Sequence, residues 1–313
     1  MARRPIDITI PDLTGRRVVL TGGSDGMGLV IAARLAAAGA DLILPVRNPR
    51  KGEAAIATIR ERAPKATVSL RSLDLSSLES VAALGEALTS EGGPIHTFIG
   101  NAGVMRPPER QITEDGFELQ FGTNHLGHAA LIGHLMPLLR EGRARVTLQV
   151  SIAANQGAVN WDDPNWERSY DSMGAYSQSK IAFGLFGLEL DRRSKQAGWG
   201  ITANLSHPGV APTSLLDVRP EIGRARAARS RGLITFLSRV GFAGTVASAG
   251  LPALMAATAP GDAGGRFFGP NGFRGIGGRP AEQKLYSRLR GHEDARRMWD
   301  LTQELTHVRI PTA

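Results

Sequence analysis

Hydrophobic positions along the chain switch repeatedly between two rhythms. Short apolar, β-branched runs at 17–21 (RVVLT), 41–46, 67–73, 96–99, 145–150 and 201–205 predict strands. Between them, segments with apolar residues every three or four positions predict helices over 27–38, 51–63, 78–90, 117–139 and 175–196. Gly39 stops the first of these helices. Strands separated by single helices pair in parallel through right-handed crossovers, leaving helices on both faces. The predicted fold class is therefore α/β, a doubly wound parallel sheet of Rossmann type in a single domain over residues 1–313. Such sheets bind ligands beyond the carboxyl ends of their strands.

The alternation breaks at residue 212. An Arg-rich stretch leads there into LITFL (233–237), which predicts a short amphipathic helix within 212–240. A C-terminal extension over 259–313 begins rich in Gly and Pro around a strand candidate at 265–268. It continues as one or two amphipathic helices over 282–305. Residues 160–172 form a polar loop that Trp161 and Trp166 are expected to anchor.

Composition narrows the classes. Hydrophobic residues make up 42% and charged residues 21%, as in an ordinary globular enzyme. With no cysteine, disulfides, thiolate metal sites and a cysteine nucleophile are excluded. A net charge of +8 raises nucleic acid or anionic lipid as partners. The arginines are scattered, however, clustering only at Arg3-Arg4, Arg16-Arg17 and 224–231, and no nucleic-acid reading module is present. No apolar run approaches the roughly 20 residues of a membrane span, and residues 1–11 lack a secretion signal. A soluble cytoplasmic protein without a membrane anchor or nucleic-acid partner is expected.

Candidate chemistry gathers at the strand ends. Thr21-Gly22-Gly23-Ser24-Asp25-Gly26-Met27-Gly28 closes the first strand and opens the first helix. Glycines there permit positive φ and close backbone approach, and the helix N-terminus offers free N–H groups to a pyrophosphate. The glycines are spaced three then one, unlike GxGxxG. The second strand ends at Arg47, where a carboxylate would favour NAD; an arginine can pair with a 2′-phosphate instead. NADP (NADPH) is thus expected over NAD, with Arg16, Arg17 and Ser24 as candidate helpers.

Tyr176 and Lys180 lie four apart on one helix face. A neighbouring ammonium stabilises a phenolate and moves its pKa toward the working pH. Ser151 ends the fifth strand, and Asn124 is an amide inside an apolar helix, which requires a specific partner. Asp74-Leu75 follows the third strand and Asn101-Ala102-Gly103 the fourth. Each residue alone also fits a turn or cap; together they line successive strand ends beside the glycine turn. His125, His128 and His134 have helical spacings compatible with a metal, but zinc needs several converging ligands, and none is expected here.

The ordered motifs TGGSDGMG, DL, NAG, NHLGH, Ser151, YSQSK and HPG (207–209) resemble the short-chain dehydrogenase/reductase family in its single-domain branch. NHLGH, VRN-x-x-KGE and GRFFGP are similar to its retinol-dehydrogenase-like members. The resemblance implies Tyr176 as general acid/base and Ser151 as donor to the substrate oxygen. It implies Lys180 on the nicotinamide ribose, lowering the tyrosine pKa, and Asn124 anchoring a relay water. Pro208, Gly209 and Thr213 would meet the carboxamide, and Asp74 and Leu75 would flank adenine. Cofactor contacts are thus expected from Gly22, Ser24, Asp25, Gly26, Met27, Gly28, Arg47, Asp74, Leu75, Asn101, Ala102, Gly103, Tyr176, Lys180, Pro208, Gly209 and Thr213.

Two positions depart from the family pattern: Val150 and Gly100 stand where it carries the first of two serines and of two asparagines. The resemblance also places a substrate lid at 212–240 and implies a homodimer or homotetramer. It leads to the expectation that the N-terminal membrane anchor of many vertebrate members is missing. The implied activity is NADP-dependent hydride transfer between nicotinamide and a carbonyl or alcohol carbon of a small apolar substrate. Two rivals are a non-catalytic dinucleotide sensor and a nucleotide-sugar epimerase or dehydratase. The intact Ser151, Tyr176 and Lys180 argue against the first and the glycine spacing against the second.

Overall fold

The computed structural model describes residues 6–310 apart from 214, 216 and 229; the Arg3-Arg4 cluster lies outside them. Strands β1 (Arg17–Leu20), β2 (Asp41–Val46), β3 (Val68–Ser72), β4 (Thr97–Gly100), β5 (Arg145–Gln149), β6 (Thr202–Ser206), β7 (Phe267–Pro270) and β8 (Pro280–Gln283) form one sheet. Their order is β3-β2-β1-β4-β5-β6-β7-β8. The order reverses between β1 and β4, which places a crevice at their carboxyl ends. Seven strands run parallel as expected. The eighth, β8, where the sequence predicts no strand, pairs antiparallel with β7 through a hairpin. Its sequence, PAEQ, carries no apolar signal, and Pro280 has no N–H to offer a further strand, so an edge position suits it.

Alternate strand residues face opposite layers. Val19 and Ile43 point to one face, Val18, Leu20, Leu42 and Leu44 to the other. The first face is covered by α3 (Leu78–Glu91), α4 (Gly127–Glu141), α5 (Ser172–Ala197) and α8 (His292–Thr306), which contribute Leu88, Leu135, Phe183 and Trp299. The second is covered by α1 (Gly26–Ala37), α2 (Pro49–Arg62) and α7 (Leu251–Thr258), through Ile31, Ile59 and Leu254. The helix α6 (Arg231–Arg239) buries none of its side chains.

The helical stretch predicted over 117–139 is continuous from Leu119 to Glu141, with a π turn at Gly122–Leu126 preceding α4. Two further differences from the sequence expectations have physical causes. Residues 246–258, given no element above, form a short helical turn (Val246–Ala249) and then α7. That helix is buried nearly all round, so it has no apolar stripe to betray it, and Pro252 sits harmlessly in its first turn. The tail helix starts at His292 rather than 282, because 280–283 are taken by β8. No helix among the described residues is long and apolar enough to cross a membrane.

Candidate active site

The glycine turn follows directly from β1. Gly22 and Gly26 have φ of 66° and 52°, a region other residues avoid. A Cβ on Gly28 would stand 1.9 Å from the Gly22 carbonyl oxygen, so only glycine lets α1 approach the strand end this closely. Asp25, the N-cap of α1, makes no capping hydrogen bond, and the first turn holds no acidic side chain. Its N–H groups and the positive end of the helix dipole are therefore left for an external anion.

A cleft of about 950 Å³ opens at this turn, at the ends of β1, β2 and β4. Its walls bring together the predicted Gly22, Ser24, Asp25, Met27, Gly28, Arg47, Asp74, Leu75, Asn101, Ala102, Gly103 and Thr213. Gly26 belongs to the turn without forming a wall, and Pro208 and Gly209 lie outside these walls. Gly209 takes φ 71° at a tight turn where a Cβ would meet the Ile276 oxygen at 2.5 Å. Thr123, which sequence reasoning passed over, also lines the cleft, and its buried hydroxyl has no hydrogen-bond partner in the protein. An orphaned hydroxyl, an uncapped helix end and a glycine cradle fit a phosphate-bearing dinucleotide.

Ser151, Tyr176, Lys180 and Asn124 are not part of those walls; hydrogen bonds tie Lys180, through Gln149, and Asn124 to residues of the cleft, and Ser151 pairs with Tyr176. Asp171 caps α5 by accepting from Met173 and Gly174 N–H, which sets the register that stacks Tyr176 and Lys180 on one face. Both are buried. Burial pushes the Tyr176 phenol above its ordinary value, while a hydrogen bond with Ser151 opposes the rise. Burial pulls the Lys180 ammonium down to about 8. Lys180 Nζ donates to the Gln149 carbonyl at 3.1 Å.

The Gln149 side chain continues the connection. Its Nε2 donates to Asn101 Oδ1 at 2.8 Å, and its Oε1 accepts from Ser206 Oγ at 3.1 Å. Asn101 Nδ2 in turn donates to the Thr21 and Gly22 carbonyls at 3.0 and 3.2 Å. One buried amide thus joins the strand that anchors Lys180 to the residue that holds the glycine turn. Sequence reasoning missed Gln149, although a Gln inside the apolar strand RVTLQV was a signal. Gln149→Met keeps the shape but strands Asn101 Oδ1 without its donor. It is expected to destabilise the protein by about 1–3 kcal/mol in urea unfolding.

Thr21 is a second hub. Its Oγ1 accepts from the N–H groups of Asn101 (2.9 Å) and Ala102 (3.1 Å) and lies 2.8 Å from His128 Nε2. His128 Nδ1 lies 3.1 Å from the Asn124 carbonyl, which can only accept, so Nδ1 carries the ring proton. The Thr21 hydroxyl then donates to Nε2. Burial holds His128 neutral, with a pKa near about 3. His125 is likewise buried and pairs with Thr302 Oγ1 at 2.8 Å.

The Asn124 amide finds the partner its position required. It accepts from Val104 N–H at 2.8 Å and donates to the Val104 carbonyl at 3.0 Å and to Ser179 Oγ at 2.9 Å. Gly103 passes so close that a Cβ there would stand 2.9 Å from Asn124 Oδ1 and 3.6 Å from Lys180 Nζ. The glycine of Asn-Ala-Gly keeps that space open.

At the far lip of the cleft, exposed Arg47 stands with Arg50 and Lys51 at the start of α2, which Asn48 caps. Arg219 and Glu221 face them from the 212–240 segment and pair with each other at 2.8 Å. Burial raises the Glu221 pKa, but a backbone hydrogen bond, Arg219 and Arg47 outweigh it and hold the carboxyl below its ordinary value. Arg224 secures this segment by donating to the Met105, Leu215 and Asp217 carbonyls. Trp166 fixes the 160–172 loop through Nε1 to Gln178 Oε1 at 3.1 Å, and Trp161 lies 4.3 Å beneath the Arg297 guanidinium.

A mostly parallel doubly wound sheet, with a glycine turn and a Ser–Tyr–Lys group whose Tyr176 and Lys180 are buried beside its strand ends, defines a dinucleotide-binding oxidoreductase class. The chain belongs to the short chain dehydrogenase family, whose model matches residues 16–221. It is 42% identical over 213 residues to retinol dehydrogenase 13 of Homo sapiens, covering 67% of this chain and 62% of that protein. It thus spans less than two thirds of that relative's length. It is 32% identical over 299 residues to polyprenol dehydrogenase of Mus musculus, covering 93% of this chain and 83% of that one. Among solved structures, an uncharacterized protein from Mycobacterium paratuberculosis matches with a TM-score of 0.77 at 34% identity, covering 96% of this chain and 97% of that one. The Pseudomonas aeruginosa RhlG/NADP complex shares the fold at a TM-score of 0.55 and 22% identity, covering 81% and 94%.

Proposed function

We propose that the protein is an NADP-dependent oxidoreductase that moves a hydride between nicotinamide and a carbonyl or alcohol carbon of a small, apolar substrate. The observation that carries this reading is the hydrogen-bonded path from Lys180 through Gln149 and Asn101 to the glycine turn, with Tyr176 one helical turn from Lys180 and hydrogen-bonded to Ser151. It holds an acid/base pair and a pyrophosphate cradle in fixed relation. The bound cofactor supplies or takes up the hydride. Ser151 and Tyr176 hydroxyls donate to the substrate oxygen, and Tyr176 delivers a proton to it during reduction. Preorganised donors facing the oxygen where charge develops lower the barrier without reorganisation. Lys180 holds the ribose hydroxyls and favours the phenolate by its charge. Asn124 spends its amide on Val104 and Ser179, so its contribution to a water relay rests on its backbone carbonyl, shared with His128.

The cluster of Arg47, Arg50 and Lys51 supports NADP over NAD, and the NADP complex of a protein with the same fold is consistent with it. Arg47→Ser is expected to raise KM for NADPH about 10–100-fold and to leave KM for NADH nearly unchanged. Loss of a charge-assisted hydrogen bond is worth about 1.5–3 kcal/mol. Equal effects on the two cofactors would place the 2′-phosphate elsewhere.

The lid role belongs in this reading to residues 212–224, whose Thr213, Leu215, Arg219 and Glu221 line the cleft. The whole reading is tested by following oxidation of NADPH with a panel of apolar ketones and aldehydes, with NADH in parallel. Turnover that prefers NADPH supports it. Cofactor binding with no turnover across the panel favours a dinucleotide sensor instead.

A further inference from the structure

Between Glu221 and Asp262 the sequence contains no acidic residue and five arginines. In the middle of this stretch stands α6, RGLITFLSR, with no buried side chain. Leu233, Phe236 and Val240 recur at i, i+3 and i+7, the spacing of one helix face. They are 62%, 61% and 54% exposed. The chain then turns so that Phe242 meets Phe273 of the 271–279 loop, their ring centres 6.0 Å apart. These five are among the seven large apolar side chains most exposed in the described residues. Single exposed apolar residues are ordinary, but a gathered patch marks a binding surface.

The charges around the patch indicate what binds it. Arg226, Arg239, Arg274 and Arg279 flank it in the sequence or in the adjoining loop, and none makes an ion pair among the described residues. Arg274 lies 5.3 Å from the Phe273 ring. Arg231 is the exception, paired with Asp217, and so joins α6 to the segment that lines the cleft. An amphipathic helix whose apolar face has cationic flanks is the pattern of a helix lying in a bilayer interface. The arginines would meet lipid phosphates while Leu and Phe enter the acyl boundary. A second copy of the chain would bring the same positive charges face to face.

We propose that α6 and the 271–279 loop form a peripheral docking surface for an anionic lipid bilayer. The inference does not depend on the catalytic reading, since no residue in it touches the Ser–Tyr–Lys group. The test uses the full chain in a flotation assay with phosphatidylcholine vesicles and with vesicles also containing phosphatidylglycerol. Binding is expected to the anionic vesicles, much less to the zwitterionic ones, and to weaken with added salt. The double substitution Leu233→Ser, Phe236→Ser is expected to reduce the partition coefficient at least about tenfold. Arg239→Gln with Arg274→Gln is expected to reduce it several-fold. These side chains are exposed, so thermal stability and NADPH binding should be retained in every variant, which separates lost docking from lost folding. No preference for anionic vesicles, or binding that the substitutions leave intact, overturns the proposal. So does an oligomer, measured by light scattering, that dissociates in the Leu233→Ser, Phe236→Ser protein, because a second copy would then be the occupant.

Discussion

Tyr176→Phe is expected to lower kcat about 10²–10⁴-fold, the range that a positioned general acid contributes, while changing cofactor affinity by less than about twofold. The substitution removes one oxygen from a buried side chain whose phenol already sits above its ordinary pKa because of burial. At neutral pH that phenol is protonated, which suits it to donate during carbonyl reduction. Alcohol oxidation requires the phenolate, so its rate should rise with pH as the tyrosine ionises, whereas reduction should fall over the same range. Both slopes should disappear in the variant. Steady-state rates in the two directions, with NADPH binding followed by fluorescence, check this. A variant retaining more than about a tenth of wild-type kcat would mean the proton reaches the substrate by another route.

The parts of this site legible in the sequence were those set by local backbone demands. Gly22, Gly26 and Gly28 announce a turn that other residues cannot make, and Tyr176 and Lys180 declare a shared face by spacing alone. The amide of Asn124 was readable as a side chain needing a partner, and Val104 and Ser179 are those partners. Connections across the sheet were not readable. Gln149 reaches Asn101 from the neighbouring strand, and Thr21 reaches His128 from a helix 107 residues away. Such pairings depend on strand order, which periodicity does not fix.

The elements that escaped did so for related reasons. Periodicity detects a boundary between core and water; α7 is apolar on nearly every side and so has none. Strand β8 is polar and short, held by its pairing with β7 rather than by its own propensity. The LITFL stripe of α6 was correctly read as amphipathic, yet its apolar face meets no core. The pattern identified the face without identifying what covers it.

Lys180→Met is expected to abolish turnover while making the apo protein more stable. Burial lowers the ammonium from the ordinary 10.5 to about 8, and a single acceptor, the Gln149 carbonyl, receives one of its three N–H donors. At about 1.4 kcal/mol per pH unit, holding this cation inside costs the folded state on the order of 3 kcal/mol at neutral pH. The unfolded chain binds the lysine proton more tightly, so this cost is complete below about pH 8. It fades as pH rises toward 10.5, which gives the wild type a stability slope that increases with pH across that window. Methionine fills similar space without charge, so the variant should unfold about 2–5 °C higher at neutral pH and lose that slope. Its kcat should fall about 10²–10⁴-fold, because only the Ser151 hydrogen bond then favours the phenolate. Function at the expense of stability is the signature of a group retained for chemistry. Thermal melts of both proteins between pH 7 and 10.5 decide the matter. A variant no more stable than wild type at neutral pH would show that the ammonium is already compensated in the fold.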